Sequence, residues 1–325
     1  MSWNTTALGV LAPGPPTPLI DLPVAAPGIR LLLKDESRQP TGSLRHRHAR
    51  ALFRQAIADG LVGEGTIVVE ATGGDAAVAQ AWFARRLGLP YIVIMPGERT
   101  EARARPVEAL GGECRFVTPP LAIYDAARAL DGHFLDQFGR AAPHDLAEEL
   151  FAQVRPDWVV TGAGTGATSA TLGRWIRDHA LSCRVAVADP ENSAYFPGWT
   201  LDAPDYATGM PSRIEGIGRP RVEPGFRPDL VDLVIPVPDA ASVAAARRIR
   251  ELTGLPAGAA SGTALWAALE LAGRMHARGE SGTLVALLGD AADRHLATYH
   301  DDAWTAAKGL DVERHTGELR HRTTA

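Results

Sequence analysis

Lysine is almost absent from this sequence. Lys34 and Lys308 are the only two lysines, so nearly all of the 33 Lys and Arg residues are arginines. A guanidinium group stays protonated above about pH 12 and has no free lone pair with which to attack a carbonyl. A mechanism that needs a primary amine on a side chain therefore has two candidates.

Cysteine is just as scarce. Cys114 and Cys183 are too few for a disulfide framework, and neither lies in a spacing that suits a metal ligand. We expect both to be small buried hydrophobic residues. The scattered Asp and His residues also lack metal-site spacing, so the sequence predicts no metal centre.

Basic blocks and long apolar runs are missing as well. The net charge is −5, and no dense block of Lys or Arg occurs away from one predicted helix, which argues against nucleic acid as a partner. The start of the chain does not resemble a secretory leader, and no apolar window approaches the length of a membrane span. We therefore expect a cytoplasmic protein without membrane or nucleic-acid partners, which binds small molecules or proteins.

Short β-rich runs alternate with helical patterns through most of the chain. "TIVVEA" precedes "AAVAQAWFARRLG", "YIVIMP" precedes "TEARARPVEALGG", and the pattern resumes with "DWVVTGAG" and "SATLGRWIRDHA". Such alternation is typical of βαβ units around a parallel sheet. The sequence thus predicts the α/β class, with a second α/β layer in its later half.

Two glycine-rich turns join a strand to a helix. "TGAGTGATSATLGRW", residues 161–175, has the form of a phosphate cradle, because glycines allow close approach and helix-start amides point at an anion. "EATGGDAAVAQA", residues 70–81, could hold a carboxylate in the same way. A plain tight turn remains the alternative for each, and Asp75 would repel an anion in the second.

A basic helix follows the segment "QPTGS". Thr41 or Ser43 is the expected N-cap of "TGSLRHRHARALF", and its apolar residues supply the inner face. One interpretation makes the run of Arg and His a solvated face. The other places Arg45 or His46 in a cleft.

Taken in order, these segments resemble the fold-type II family of pyridoxal-phosphate enzymes, which includes cysteine synthase, cystathionine β-synthase and the tryptophan synthase β-subunit. The resemblance covers nearly the whole chain: "TPLIDL", "KDESRQPTGSLRHR", "EATGGDAA", "DQF" and "GAGTGAT". "VADPENSAYFPGW", "PSRIEGIGRPRVEP" and "GDAADRHLATYHDDAW" are more similar still to the actinobacterial cysteine desulfhydrase branch.

The resemblance implies a tryptophan synthase β-like fold of two three-layer αβα domains with parallel-rich sheets. The smaller domain would span residues 37–140, and the larger residues 1–36 plus 141–325. It also implies a homodimer, with the cofactor between the domains. The cofactor phosphate would contact Gly164, Thr165, Gly166, Ala167 and Thr168, and the substrate would contact Thr72, Gly73, Gly74 and Gln137.

Several positions depart from the family pattern. Arg45 occupies the place of the lysine that forms a Schiff base with the cofactor, whereas the family gives no cofactor role to a residue at Lys34. The turn in residues 70–81, which the resemblance makes the substrate-carboxylate loop, lacks a hydroxyl of the family pattern and carries the acidic Asp75. Ala291 stands where cysteine synthase offers a serine to the pyridine nitrogen, and Ala292 replaces a glycine. A change at Arg45 alone would fit an inactivating substitution made on purpose to trap a complex. The additional departures at Gly73, Asp75 and Ala291 favour natural divergence.

Three functions are compatible with this pattern. The first is a pseudoenzyme that binds a phosphorylated or amino-acid-like molecule, with pyridoxal phosphate bound non-covalently or not at all. A different reaction, with His46 or Asp75 as proton carrier, belongs to the same hypothesis. The second is a slow pyridoxal-phosphate lyase or β-replacement enzyme acting on L-cysteine or an O-activated serine. The third is a non-catalytic subunit of a heteromeric enzyme.

Overall fold

A computed structural model of the chain describes residues 3–140, 142–210 and 212–323. The chain divides into two compact units. The first unit comprises Met1–Pro15 and Arg45–Asp145, and the second comprises Pro16–Leu44 and Leu146–Ala325. The strands are β1 (Leu19–Leu22), β2 (Ile29–Asp35), β3 (Val68–Ala71), β4 (Tyr91–Pro96), β5 (Glu113–Val117), β6 (His133–Phe134), β7 (Trp158–Gly162), β8 (Arg184–Pro190), β9 (Leu233–Val237) and β10 (Gly282–Leu288).

The α-helices fill most of the intervals between strands. They are α1 (Trp3–Val10), α2 (Arg45–Ala58), α3 (Asp75–Leu87), α4 (Glu101–Glu108), α5 (Ile123–Arg128), α6 (Leu146–Gln153), α7 (Ala167–Asp178), α8 (Tyr195–Thr200), α9 (Asp239–Thr253), α10 (Ala259–Ala277), α11 (Asp302–Ala307) and α12 (Glu313–Arg322). Within the described residues, no helix is both long and apolar enough to cross a bilayer.

The first unit is built on a four-stranded parallel sheet in the order β5-β4-β3-β6. Successive side chains of a strand point to opposite faces, so Val68 packs with α2 and α3 whereas Val69 packs with α5. Both faces are thereby covered, which explains why the central strand is apolar on both sides.

The second unit is built on a six-stranded sheet in the order β1-β2-β10-β7-β8-β9. Only the β1–β2 pair is antiparallel. Val159 packs with α6 and α7 on one face, and its neighbour Val160 packs with α9 and α10 on the other. The predicted α/β class with parallel-rich sheets is confirmed.

The bounds of the two units differ from the predicted domain bounds. Helix α1 lies in the first unit, where Ala7 joins the core and Trp3 Nε1 donates a hydrogen bond to Leu87 O at 3.3 Å. Residues 37–44 lie in the second unit, where Leu44 N donates to Gly289 O at 2.8 Å. Long-range contacts of this kind leave no mark in local sequence patterns.

Parallel strands bring loops distant in sequence to one edge of each sheet. In the first unit, the segments after β3, β4 and β6 share the carboxyl edge. In the second unit, β7 and β10 are parallel neighbours, so the segments after Gly162 and Leu288 share theirs. Ligands of open α/β sheets bind at such edges.

Candidate functional site

The turn after β7 closes tightly against the segment around Phe226. Gly166 has a φ of +82°, and a Cβ placed there would lie 2.4 Å from the backbone nitrogen of Phe226. Only glycine combines a left-handed backbone with this close approach. The sequence therefore encodes a turn whose backbone, rather than its side chains, lines the space in front of α7.

Further hydrogen bonds hold the same turn in place. Thr165 is buried, and its Oγ1 accepts from Ala167 N at 3.3 Å. The Tyr195 hydroxyl donates to Gly164 O at 2.5 Å, and its ring stacks on Phe226 with centroids 4.3 Å apart. The first-turn amides of a helix lack partners within that helix, and α7 directs them at this turn. A phosphate group fits this preformed cradle.

The turn after β3 carries an unexpected positive charge. A Cβ at Gly73 would lie 2.4 Å from Arg103 Nη2, so the guanidinium occupies the space of a side chain at that position. Arg103 is held there by a hydrogen bond from Nη1 to Pro96 O at 2.8 Å. Thr72, Gly73, Gly74 and Asp75 are half-buried. As the first residue of α3, Asp75 is also placed favourably for the helix dipole.

A buried carboxyl group links this turn to Gln137. Gln137 N donates to Glu70 Oε2 at 3.2 Å, and Gln80 Nε2 donates to the same oxygen at 3.0 Å. Burial raises the pKa of Glu70 to about 7 despite these hydrogen bonds. Glu70 was not among the predicted site residues, although a lone acidic residue inside the apolar strand "VVEA" was a usable signal. Glu70 thus fixes where Gln137 lies relative to Thr72.

Helix α2 buries most of its basic residues, contrary to the interpretation that makes them a solvated face. Arg45 is half-buried, whereas His46, Arg47, His48 and Arg50 are buried. Arg47 Nη1 lies 3.2 Å from Asp145 Oδ2, and Arg50 also pairs with Asp145. Most of this helix face is therefore not solvated, because a shared carboxylate compensates two of its charges.

His46 faces α3 and not the carboxyl edge of the sheet. Its ring lies 4.8 Å from that of Trp82 and 4.6 Å from that of Phe83, between ring centroids. Burial, together with the charges of Arg50 and Arg47, lowers the pKa of His46 to about 3. The imidazole is neutral at physiological pH, and its surroundings are those of a packing residue.

Neither lysine is placed for reaction with a carbonyl. Lys34 is completely buried in β2, where Nζ donates to Thr17 O at 2.6 Å, to Gln153 Oε1 at 2.6 Å and to Glu149 Oε1. An ammonium group has three donors, so these acceptors use all of them. Lys308 is exposed and follows α11, with Nζ 5.7 Å from the ring centroid of Trp304.

Ala291 lies in the segment after β10. It pairs with Ala257 in an isolated antiparallel bridge, and its methyl group packs against the main core of the second unit. The structure thus brings Thr72, Gly73, Gly74 and Gln137 to one edge of the first unit's sheet. It brings the turn at residues 164–168 and Ala291 to one edge of the second unit's sheet.

Comparison with known proteins accounts for this arrangement. A family model described as pyridoxal-phosphate dependent enzyme matches residues 10–289. The chain belongs to this family. Members of the pyridoxal-phosphate family depend on that cofactor, and the cradle at Gly166 fits its phosphate group. Gly164, Thr165, Gly166, Ala167 and Thr168 are the residues that would hold it.

Individual members of the pyridoxal-phosphate family are similar to this chain over most of its length. L-cysteine desulfhydrase Cds1 of Mycobacterium tuberculosis is 45% identical over 87% of this chain and 82% of its own length. Cysteine synthase of Aquifex aeolicus is 28% identical over 87% of this chain and 88% of its own. Among solved structures, the O-ureido-L-serine-bound form of a lysine-to-alanine mutant of O-ureido-L-serine synthase has a TM-score of 0.77. It is 26% identical and covers 92% of this chain and 98% of that one. The predicted fold type and the likeness to cysteine synthase and desulfhydrase are confirmed.

Proposed function

We propose that this protein is a member of the family without lysine-dependent chemistry, which binds a phosphorylated or amino-acid-like small molecule non-covalently. Pyridoxal phosphate is the ligand that family membership suggests for the cradle. One observation carries the proposal: Lys34 is buried with its three donors used, while Arg45 stands at the start of α2. An arginine cannot replace the missing amine, because its guanidinium remains protonated.

The anion-binding parts support ligand binding without that amine. The turn at Gly166 retains the backbone shape and the helix start that suit a phosphate. In the first unit, Arg103 lies against Gly73 and adds positive charge where the resemblance expects a substrate carboxylate. When bound, pyridoxal phosphate supplies an aldehyde and an electron-withdrawing ring. The chain supplies the phosphate contacts and the carboxylate contacts.

A relative offers an independent argument. The lysine-to-alanine mutant of O-ureido-L-serine synthase holds O-ureido-L-serine, so replacement of a lysine in that protein is compatible with a bound amino acid. We propose the same for this chain, with Arg45 in the corresponding environment.

The test compares Arg45→Lys with the wild type and with Arg54→Lys. Arg54 lies on the same helix but is exposed, so the same substitution there controls for added lysine. With pyridoxal phosphate present, we expect only Arg45→Lys to develop a yellow band that borohydride fixes to the chain. A band that borohydride fixes to the wild type at Lys34 would contradict the proposal.

A second candidate function is supported by the 45% identity to L-cysteine desulfhydrase Cds1. In that case the chain would cleave L-cysteine with a cofactor held non-covalently, and it would do so slowly. Sulfide release from L-cysteine should then require added pyridoxal phosphate and should rise in Arg45→Lys. If the wild type releases no sulfide with saturating cofactor, the second candidate is excluded and the first remains.

A further inference from the structure

A polar cluster lies at the carboxyl edge of β10 and is formed by the buried residues Ser43, Ser261 and His295 together with Asp290, whose side chain is 14% exposed. Ser261 Oγ donates to Asp290 Oδ1 at 3.0 Å, and His295 Nε2 lies 2.8 Å from Asp290 Oδ2. Asp290 Oδ2 lies 2.3 Å from the position of a Cβ built on Gly258, so the carboxylate rests against backbone that has no side chain. The carboxylate is therefore held in one orientation by two side chains and a glycine.

Ser43 completes the cluster and is unsatisfied. Within the described part of the chain, its Oγ is buried without a hydrogen-bond partner, and the residue is 2% exposed. Ser43 pairs with Asp290 in an antiparallel bridge, and Leu44 N donates to Gly289 O. That pattern makes Ser43 and Asp290 a non-hydrogen-bonded pair, in which opposite side chains lie on the same face and approach most closely. A buried hydroxyl without a partner is costly, which points to a polar ligand atom at this place.

Ala291 does not face the same way as Asp290. Successive side chains of an extended segment point to opposite sides, and the methyl group of Ala291 packs against the core. The polar side of the segment is thus the side of Ser43 and Asp290.

The cluster and the phosphate cradle lie on neighbouring strands. β10 and β7 are parallel, with Ala286 opposite Val160, so both strands end at the same level. Adjacent strands are about 5 Å apart. In pyridoxal phosphate, a single ring carbon separates the ring nitrogen from the carbon that bears the phosphate arm. A ligand whose phosphate lies after β7 therefore has its ring nitrogen within reach of a group after β10.

We propose that the Asp290 carboxylate, positioned by Ser261 and His295, accepts a hydrogen bond from the ring nitrogen of bound pyridoxal phosphate. Ala291 has no hydroxyl to offer a ring nitrogen, and Asp290 is the polar residue of this segment on the side of Ser43. This inference rests on the proposed function. A carboxylate only accepts, so it requires a protonated ring nitrogen, whereas a hydroxyl can also donate to an unprotonated one. Asp290 would thus hold a proton on the ring and make the ring more electron-withdrawing.

The ionisation state of Asp290 agrees with this role. Burial alone would raise the pKa of this carboxyl group. The hydrogen bond and charge of His295, with the charge of Arg294, outweigh burial and leave the pKa below its usual value. The carboxylate is ionised at neutral pH and can pair with a cationic ring nitrogen.

The first test needs no variant. The affinity of wild-type protein for pyridoxal phosphate is compared, by calorimetry, with its affinity for an analogue in which carbon replaces the ring nitrogen. A charged hydrogen bond predicts that the analogue binds about 10- to 100-fold more weakly. Equal affinities would overturn the role of Asp290 and leave non-covalent cofactor binding intact. If neither molecule binds, non-covalent binding of pyridoxal phosphate and the role of Asp290 both fail.

The second test uses Asp290→Asn with Asp293→Asn as its control. Asp293 is an exposed carboxylate in the same segment. We expect the preference for the nitrogen-containing ring to fall below about threefold in Asp290→Asn and to persist in Asp293→Asn. Nitrogen-15 NMR of labelled cofactor should report a protonated ring nitrogen in wild type and an unprotonated one in Asp290→Asn. An unprotonated nitrogen in wild type would overturn the proposal even if the variant failed to fold.

Discussion

The backbone N–H of Gln137 donates to the buried carboxyl group of Glu70 at 3.2 Å, across 67 positions of sequence. This contact connects the end of β6 to β3 inside the first unit. It places a residue expected to contact substrate beside the turn at Thr72. The same carboxyl group makes the stability of the unit dependent on pH.

We predict that stability falls as pH rises from about 4.5 towards about 7. Burial raises the pKa of Glu70 from 4.5 to about 7, so the folded state binds more protons than the unfolded state in that window. The contribution of Glu70 is complete below the unfolded pKa and is lost through the folded pKa, with an upper limit of about 3 kcal/mol. Urea unfolding at several pH values should show a smaller slope in Glu70→Gln. The exposed Glu64→Gln is the control, and an unchanged slope in Glu70→Gln would contradict the assignment.

Lys34→Met should destabilise the protein without changing its affinity for pyridoxal phosphate. The substitution removes the ion pair between the buried Lys34 and Glu149, which costs about 3–5 kcal/mol. Lys308→Met, at an exposed position, should change the unfolding free energy by less than about 0.5 kcal/mol. Unfolding curves and cofactor titrations check both. A loss of cofactor affinity confined to Lys34→Met would show that Lys34 acts on the cofactor.

Gly166→Ala should disrupt the phosphate cradle. Its Cβ would meet the Phe226 nitrogen at 2.4 Å, and the residue has a left-handed φ. Gly209 has a φ of +68° with no atom within 4 Å of its Cβ among the described residues, so Gly209→Ala isolates the backbone cost of about 1–2 kcal/mol. We expect Gly166→Ala to cost at least about 1 kcal/mol more and to abolish binding of inorganic phosphate. Equal effects of the two substitutions would refute the close approach.

Arg103→Ala should weaken amino-acid binding in the presence of pyridoxal phosphate by about tenfold, because it removes a charge beside Gly73. Arg85→Ala is the matched control, since Arg85 is exposed and donates to Ala109 O. Calorimetry with L-cysteine or L-serine measures the change. If Arg103→Ala and Arg85→Ala bind equally well, the carboxylate contact does not involve Arg103.

The oligomeric state is predicted from the family resemblance alone. We predict a homodimer, because the resemblance to cysteine synthase implies one. Sedimentation at micromolar concentration should give twice the chain mass of 34.5 kDa. A monomer would be inconsistent with this prediction and would leave the other proposals unaffected.

The strand and helix alternation was predictable because it depends on local hydrophobic period. "TIVVEA" and "DWVVTGAG" became β3 and β7, and both glycine-rich turns precede helices as expected. Local pattern also indicated the cradle at Gly166, since its glycines and the following helix are contiguous in sequence.

Pairings distant in sequence were not predictable from local pattern. The burial of Arg47 and Arg50 depends on Asp145, and the orientation of Asp290 depends on Ser261. The contacts of His46 depend on how α2 packs on α3. A run of basic residues in a helix is predicted to be solvated when the carboxylate that compensates it is distant in sequence. Asp145, which pairs with Arg50, lies about a hundred positions away.

The enclosure of Lys34 has a practical consequence for spectroscopy. Because Lys34 is buried in β2 and Lys308 is exposed after α11, dyes that react with lysine amines should attach at Lys308. That attachment point lies on the second unit, and the α-amino group of the chain is the other amine that such dyes modify. A second dye on a cysteine introduced in the first unit would then form a donor–acceptor pair whose energy transfer measures the distance between the two labels.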